Sequence, residues 1–380
     1  MKVSRYVFAT LLLVIVISGS SISFAAASPT SRRDTVLSYL KDLWVPDTGG
    51  YGVKSGAIAS ISATHWAIAS LDALNALNRD NLNITQAKEF INDSQWVETT
   101  GTRHYGGFAN VEGGTPDIYG MFHAAQALTY LESVTTVSPN ITAAALWLNQ
   151  TKTNDGLFTY TDANGTVTME SIFLVVKSYS ALGENYLNEY VNKTAITNWI
   201  INCTTANGLK FKPDENITSL YNTMMGVLTL QALGTLDQLP NRTSIINWVL
   251  SLQDLNENST TYGGFVESDI SNTTNLQSTT FAILTLQALD SLQLINNAVV
   301  DFILKCQLAD GSFTLSPLNS IGSLHHIYNA IVSLNALGQI DRLSEPNPLV
   351  PEGPFPWEYI TLIMLVAIAV ILIGIGLKIE

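Results

Sequence analysis

Residues 261–289 read TYGGFVESDISNTTNLQSTTFAILTLQAL. A Gly-Gly-aromatic turn (Gly263, Gly264, Phe265) opens the stretch, a polar loop follows, and a nearly all-apolar helix ends it at Gln287-Ala288-Leu289. Five further stretches follow the same plan. Gly49-Gly50-Tyr51 leads to a helix ending at Leu74, Gly106-Gly107-Phe108 to one ending at Leu128, and Gly156-Leu157-Phe158 to one ending at Leu182. Gly208 and Phe211 lead to Leu233, and Gly311-Ser312-Phe313 to Leu337. A plan repeated about every 50 residues is the signature of a repeat architecture. Six copies across residues 36–340 argue for one repeat domain, although 380 residues is long enough for two.

Each unit begins with an amphipathic helix. Ile245, Trp248, Val249 and Leu252 make one stripe in the fifth unit, and Thr243 or Ser244 is placed to cap its start. The second helix is apolar on most of its circumference, as with Phe281, Ile283, Leu284, Leu286, Leu289 and Leu292. A helix with one apolar face lies outside and a helix apolar nearly all round is buried, so each hairpin supplies one outer and one inner helix. Few stretches alternate with period two, and no sheet is expected. The two cysteines cannot form a disulfide framework. Cys203 follows Ile196, Trp199 and Ile200, and Cys306 follows Val299, Phe302 and Ile303, each at helical spacing, which puts both thiols on the buried stripe of an outer helix.

A formal charge of −13 excludes nucleic acid as a partner, because phosphate binding needs a basic surface. Residues 1–27 read as a secretory signal peptide: Lys2 and Arg5, an apolar run, then Ala25-Ala26-Ala27. The repeats fill residues 28–341. Residues 342–358, with five prolines, read as a semi-rigid linker. Ile360 to Leu377 carries no charge and is long enough to span a bilayer, giving a transmembrane helix over 359–378 with Trp357 and Tyr359 in the interfacial belt and Lys378 inside. The expected localisation is the cell membrane, as a single-pass protein with its N-terminal domain outside. Asn-x-Ser/Thr sequons occur at Asn83, Asn92, Asn140, Asn149, Asn164, Asn192, Asn202, Asn216, Asn241, Asn258 and Asn272, all in loops or outer helices, which suits an exported glycoprotein.

Gln307-Leu308-Ala309-Asp310-Gly311-Ser312-Phe313 resembles the Gln-x-x-x-Gly-x-aromatic motif of squalene and terpenoid cyclases, and also the Gly-Gly-Phe repeat of protein prenyltransferase β subunits. The resemblance covers about residues 36–340. It implies an all-α fold, an (α/α)6 toroid of six helical hairpins whose inner helices line a central cavity. The activity does not follow from it. The zinc site of prenyltransferases uses an Asp-x-Cys at an inner-helix start, where this chain has Thr274-Asn275-Leu276-Gln277; only His325 or His326 stands near the place of the family's histidine ligand. Neither the Asp-x-Asp-Asp acid of class II cyclases nor the Cys-Gly-Glu-Gln of thioester domains occurs. No cofactor or metal is expected.

Aligning the units on their terminal leucines gives a ring of polar residues at the inner-helix starts: His65, Asp117, Tyr119, Glu170, Tyr221, Asn222, Gln277, His325, His326 and Tyr328. One reading is helix capping, with Asp117, Glu170 and Asn222 satisfying free amides. The other is a polar-rimmed pocket over an apolar floor of Trp66, Phe122, Phe173, Met225 and Phe281. Asp117 with Glu170 as an acid/base pair, as in glycan-cleaving (α/α)6 enzymes, and His325-His326 as a metal half-site remain further readings. The expected function is a binding module for an apolar small molecule or another surface protein. The alternative is an enzyme acting in the cavity.

Overall fold

The computed structural model describes residues 30–77, 83–97, 101–132, 138–161 and 164–350. The expected signal peptide (1–27), the distal part of the expected linker and the expected transmembrane helix (359–378) lie outside the described residues. Among the described residues no helix is long and apolar enough to cross a membrane.

Six inner helices carry the architecture: α2 (Ile61–Ala73), α4 (Ile118–Tyr130), α6 (Met169–Leu182), α9 (Leu220–Leu233), α11 (Leu276–Ala288) and α13 (Leu324–Ala336). Each packs against the next, and α13 packs against α2, so the ring closes. The N-caps are Ser60, Asp117, Thr168, Ser219, Asn275 and Ser323; each side chain accepts from the backbone N–H three residues on, stabilising its helix by about 1 kcal/mol. The outer helices are α1 (Arg32–Asp42), α3 (Ile84–Asp93), α5 (Ile141–Asn149), α8 (Lys193–Cys203), α10 (Arg242–Ser251) and α12 (Ala298–Lys305), with a short α7 (Glu184–Tyr190) inserted before α8. Their stripes are buried as the periodicity requires: Ile196, Ile200 and Cys203 on α8, and Val299, Phe302 and Ile303 on α12. Cys203 and Cys306 are both free and buried, and burial pushes each thiol up to about 12.

Short antiparallel strands, which the periodicity did not reveal, hold the turn under its inner helix in four units, and isolated bridges, Ala109 to Pro116 and Thr159 to Val167, do so in the second and third. The turn residue pairs with the N-cap or its counterpart: Tyr51 with Ser60, Leu209 with Ser219, Phe265 with Asn275, Phe313 with Ser323. At two or three residues these strands are too short to show alternation. In the fourth unit Leu209, not Phe211, takes the aromatic's place and is fully buried.

A glutamine staples successive units. Gln95 Nε2 donates to Gly106 O (3.0 Å) and Asn140 O (2.9 Å), while its Oε1 accepts from Asn140 N. Gln253 does the same for Gly263 O, Asn296 O and Asn296 N. Gln307 makes the equivalent contacts at the seam: its Nε2 donates to Arg32 O (2.9 Å), and its Oε1 accepts from the Arg32 guanidinium (3.0 Å). The sixth unit is thereby joined to the first. The stretch expected to begin the linker is seated on this seam. Leu343 is buried, Pro346 bridges to Ser31, and Asn347 Nδ2 donates to Leu308 O. The ring domain therefore runs to Leu349.

Candidate functional site

The inner helices enclose a cavity of about 760 Å³. Because all six start at an N-cap of the same kind, their cavity-facing side chains fall in levels. Two residues past the N-caps stand Ser62, Tyr119, Tyr221, Gln277 and His325, while Glu170, at the same position of α6, is off the lining. One turn further come His65 and Trp66, Phe122 and His123, Phe173 and Leu174, Met224, Thr280 and Phe281, and Tyr328 and Asn329. The third level, nine past the N-caps, holds Ala69, Gln126, Lys177, Leu228, Leu284 and Val332. Asp72, Tyr130 and Asn335 mark the far end.

The structure sorts the rim candidates. His65, Asp117, Tyr119, Tyr221, Gln277, His325 and Tyr328 line the cavity. Glu170, Asn222 and His326 do not. Glu170 accepts from the phenols of Tyr160 and Tyr221. Tyr119 faces the same carboxylate and stacks on Tyr160; burial first, then Glu170, raises its pKa. Of the three proposed caps only Asp117 is one, accepting from Gly120 N at 2.7 Å. Thr168 and Ser219 cap the helices expected of Glu170 and Asn222. Both carboxylates of the proposed acid/base pair are thus already engaged. Asn222 and His326 are turned into the wall, where Asn222 Oδ1 and His326 Nδ1 lack partners. In the apolar floor Met224 replaces Met225, which is fully buried behind it.

One side of the cavity is a cluster of histidines with aromatic neighbours. His65 and His123 meet through their Nδ1 atoms at 3.0 Å, so one donates and the other, unprotonated there, accepts. His325 lies over Trp66, with ring centroids 4.7 Å apart. Burial holds His65 well below its ordinary value, His123 down to about 3 and His325 to about 4; neighbouring histidines push each the same way. All three are neutral at pH 7. These histidines do not rebuild the zinc site of prenyltransferases. Among the described residues no three of His, Cys, Asp or Glu converge on one point, and His65 and His123 spend their Nδ1 atoms on each other.

His123 and Lys177 escaped the sequence reading. In every unit fourteen residues separate the N-cap from the closing leucine: 60 and 74, 168 and 182, 219 and 233, 275 and 289, 323 and 337. In the second unit that leucine is Leu131, not Leu128. Counted from Leu131, Tyr119 stands level with Ser62 and His123 level with Trp66, whereas counting from Leu128 sets Tyr119 level with His65.

The chain matches the model of the prenyltransferase alpha-alpha toroid domain over residues 9–206, 159–320 and 212–350. No curated protein matches it in sequence. Among similar solved structures is the Candida albicans protein geranylgeranyltransferase-I complexed with GGPP: 15% identity over 74% of this chain and 85% of that one, TM-score 0.62. Another is a type II terpene cyclase from Scytonema in complex with its product merosterolic acid A, with 13% identity, 82% and 96% coverage and a TM-score of 0.55. A structure of that cyclase with its substrate, geranylgeranyl dihydroxybenzoate, gives 13%, 82%, 97% and 0.53. At such identities the likeness is one of fold.

Proposed function

Because this chain belongs to the prenyltransferase alpha-alpha toroid domain family, we propose that its central cavity binds an apolar small molecule of isoprenoid class, and that the ring serves as a binding module rather than a catalyst. The observation that carries this reading is the second level of the cavity. Trp66, Phe122, Phe173, Met224 and Phe281 surround a space of about 760 Å³, within the ordinary range for ligand pockets, and polar groups stand at both ends. Two of the similar structures described above hold geranylgeranyl compounds by their descriptions. The ring is displayed outside the cell and tethered through the charge-free C-terminal run, a reading supported by the order of sequence features alone.

A second reading, catalysis within the cavity, has one observation behind it. His65, His123 and His325 are held neutral against the cavity, the state a general base requires. Titrating the purified full chain with geranylgeraniol separates the readings. Saturable binding of one molecule per chain, recovered chemically unchanged, is expected, and Phe281→Asp should abolish it. Conversion to a new product would establish the second reading. Absence of binding by a folded chain would remove the first. Protease added to intact cells should degrade the ring; protection until detergent is added would contradict the display.

A further inference from the structure

Lys177 is the one cation lining the cavity among the described residues, and neither reading above uses it. It projects from the third turn of α6, at the level of Ala69, Leu228, Leu284 and Val332, with Gln126 the only other polar side chain there. Gln126 Nε2 donates to the backbone carbonyl of Lys177 at 3.1 Å, which fixes the two helices side by side but leaves the ammonium unserved. No hydrogen bond or ion pair reaches that ammonium from the described residues. Burial lowers its pKa, and no carboxylate acts on it in the opposite sense. Asp117 is spent as a helix cap at the other mouth, and Asp72, at the far end, is exposed to solvent. The cavity histidines are neutral. Lys177 is half-buried, its ammonium standing inside the cavity; an ammonium partly withdrawn from water without a counter-ion is costly to hold, because the lost hydration is repaid only by an opposite charge.

We propose that Lys177 receives the carboxylate of an amphipathic acid whose apolar tail lies among Trp66, Phe122, Phe173 and Phe281, one helical turn away. This rests on the reading that the cavity holds an apolar molecule, and it names the head group. A single lysine matches a single negative charge. A phosphate or diphosphate calls for several donors, with arginine favoured for bidentate contact, and no arginine lines the cavity among the described residues. The bland alternative is a lysine that threads its apolar stem along the wall and keeps its head in cavity water.

The test compares matched acid and alcohol pairs on the full chain at pH 7, by calorimetry: geranylgeranoate against geranylgeraniol, and palmitate against hexadecanol. The acid should bind at least tenfold more tightly than its alcohol in one series, and which series shows it tells an isoprenoid tail from a straight one. Lys177→Met should reduce the acid to the level of the alcohol while leaving alcohol binding unchanged, and Lys177→Arg should keep most of the preference. Lys177→Met should also melt no lower than the unaltered chain, since it removes an unpaired charge partly withdrawn from water. Equal affinity for acid and alcohol in the unaltered chain overturns the proposal whatever the variants do, as does an acid preference that survives Lys177→Met. If the alcohols bind and show no difference from the acids, only the head-group assignment fails. If nothing binds, the reading of the cavity fails with it.

Discussion

The pairing of His65 with His123 through their Nδ1 atoms fixes a pH dependence. Protonating the acceptor would set two donors against each other in a buried site, and the cations would lie where water is excluded. Both groups have folded-state values below the unfolded value near 6.5. Below that pH the unfolded chain binds more protons than the folded one, so stability is full above about pH 6.5 and is lost as pH falls. At about 1.4 kcal/mol per histidine per pH step, the pair removes up to about 4 kcal/mol by pH 5. Urea melts at pH 7, 6 and 5 should show at least that loss, and His123→Gln should reduce it by about 2 kcal/mol, His65 and His325 keeping the rest; a stability unchanged between pH 7 and 5 would contradict the buried neutral pair. Little of this was legible in the sequence. A histidine's role here depends on which helical turn it occupies, and the second unit offers two leucines, Leu128 and Leu131, about a turn apart as its closing residue. Lys177 was in principle readable as the single lysine of FLVVKSYSAL, but side-chain type alone does not say that an inner helix faces a cavity rather than a core. Asn222 and His326 show the converse: polar residues at the right level, turned the wrong way.

At the level of the elements, the repeated plan was the readable signal, because it is written in apolar residues that every unit needs for burial. The inner and outer helices follow from it. What stayed hidden is what joins them. The glutamine staples act between residues 43 positions apart, as from Gln253 to Asn296, and local periodicity carries no trace of such contacts. Gln253→Ala would leave Gly263 O, Asn296 O and Asn296 N without this partner, at a cost of about 2–3 kcal/mol. Gly263→Ala should cost as much or more. Its φ of +95° already disfavours a side chain, and the added Cβ would lie 2.3 Å from Ala298 O. Denaturant melts of both variants decide the matter; a change under about 0.5 kcal/mol for either would show the staple to be incidental. Elements also give some sequons a second meaning. Asn83, Asn140 and Asn192 are N-caps of α3, α5 and α8, each accepting from the amide three residues on, so their presence has a structural reason apart from modification.

Residues 31–349 form a closed ring, and closure has a consequence that an open stack of repeats would not share. In a solenoid each unit touches only its neighbours, so removing a terminal unit subtracts one increment of stability and leaves the rest folded. Here α2 packs on both α4 and α13, and α1 is clasped by Gln307 and by the stretch carrying Pro346 and Asn347. Ending the chain near residue 294 removes α12, α13 and that clasp together. It strips the cover from α1 and α2, whose Val36, Leu40, Ile61 and Ile68 are all but wholly buried in the intact ring, and it opens the cavity along one side. The five remaining units would then expose a contiguous apolar face at each end of the break, the kind of surface that drives association. The truncated chain should therefore aggregate or unfold as a whole instead of melting slightly earlier. Arg32→Ala serves as the milder cut. It removes the guanidinium's bonds to Leu304 O and Gln307 Oε1 at the seam while leaving all six units in place, and it should lower stability without causing aggregation. Size-exclusion chromatography and the slope of a denaturant melt distinguish the cases, since that slope reports the surface exposed when the cooperative unit unfolds. A truncated form that stayed monomeric, with an unchanged melting temperature and a slope reduced by one unit's share, would mean that the seam does not couple the ends of the chain.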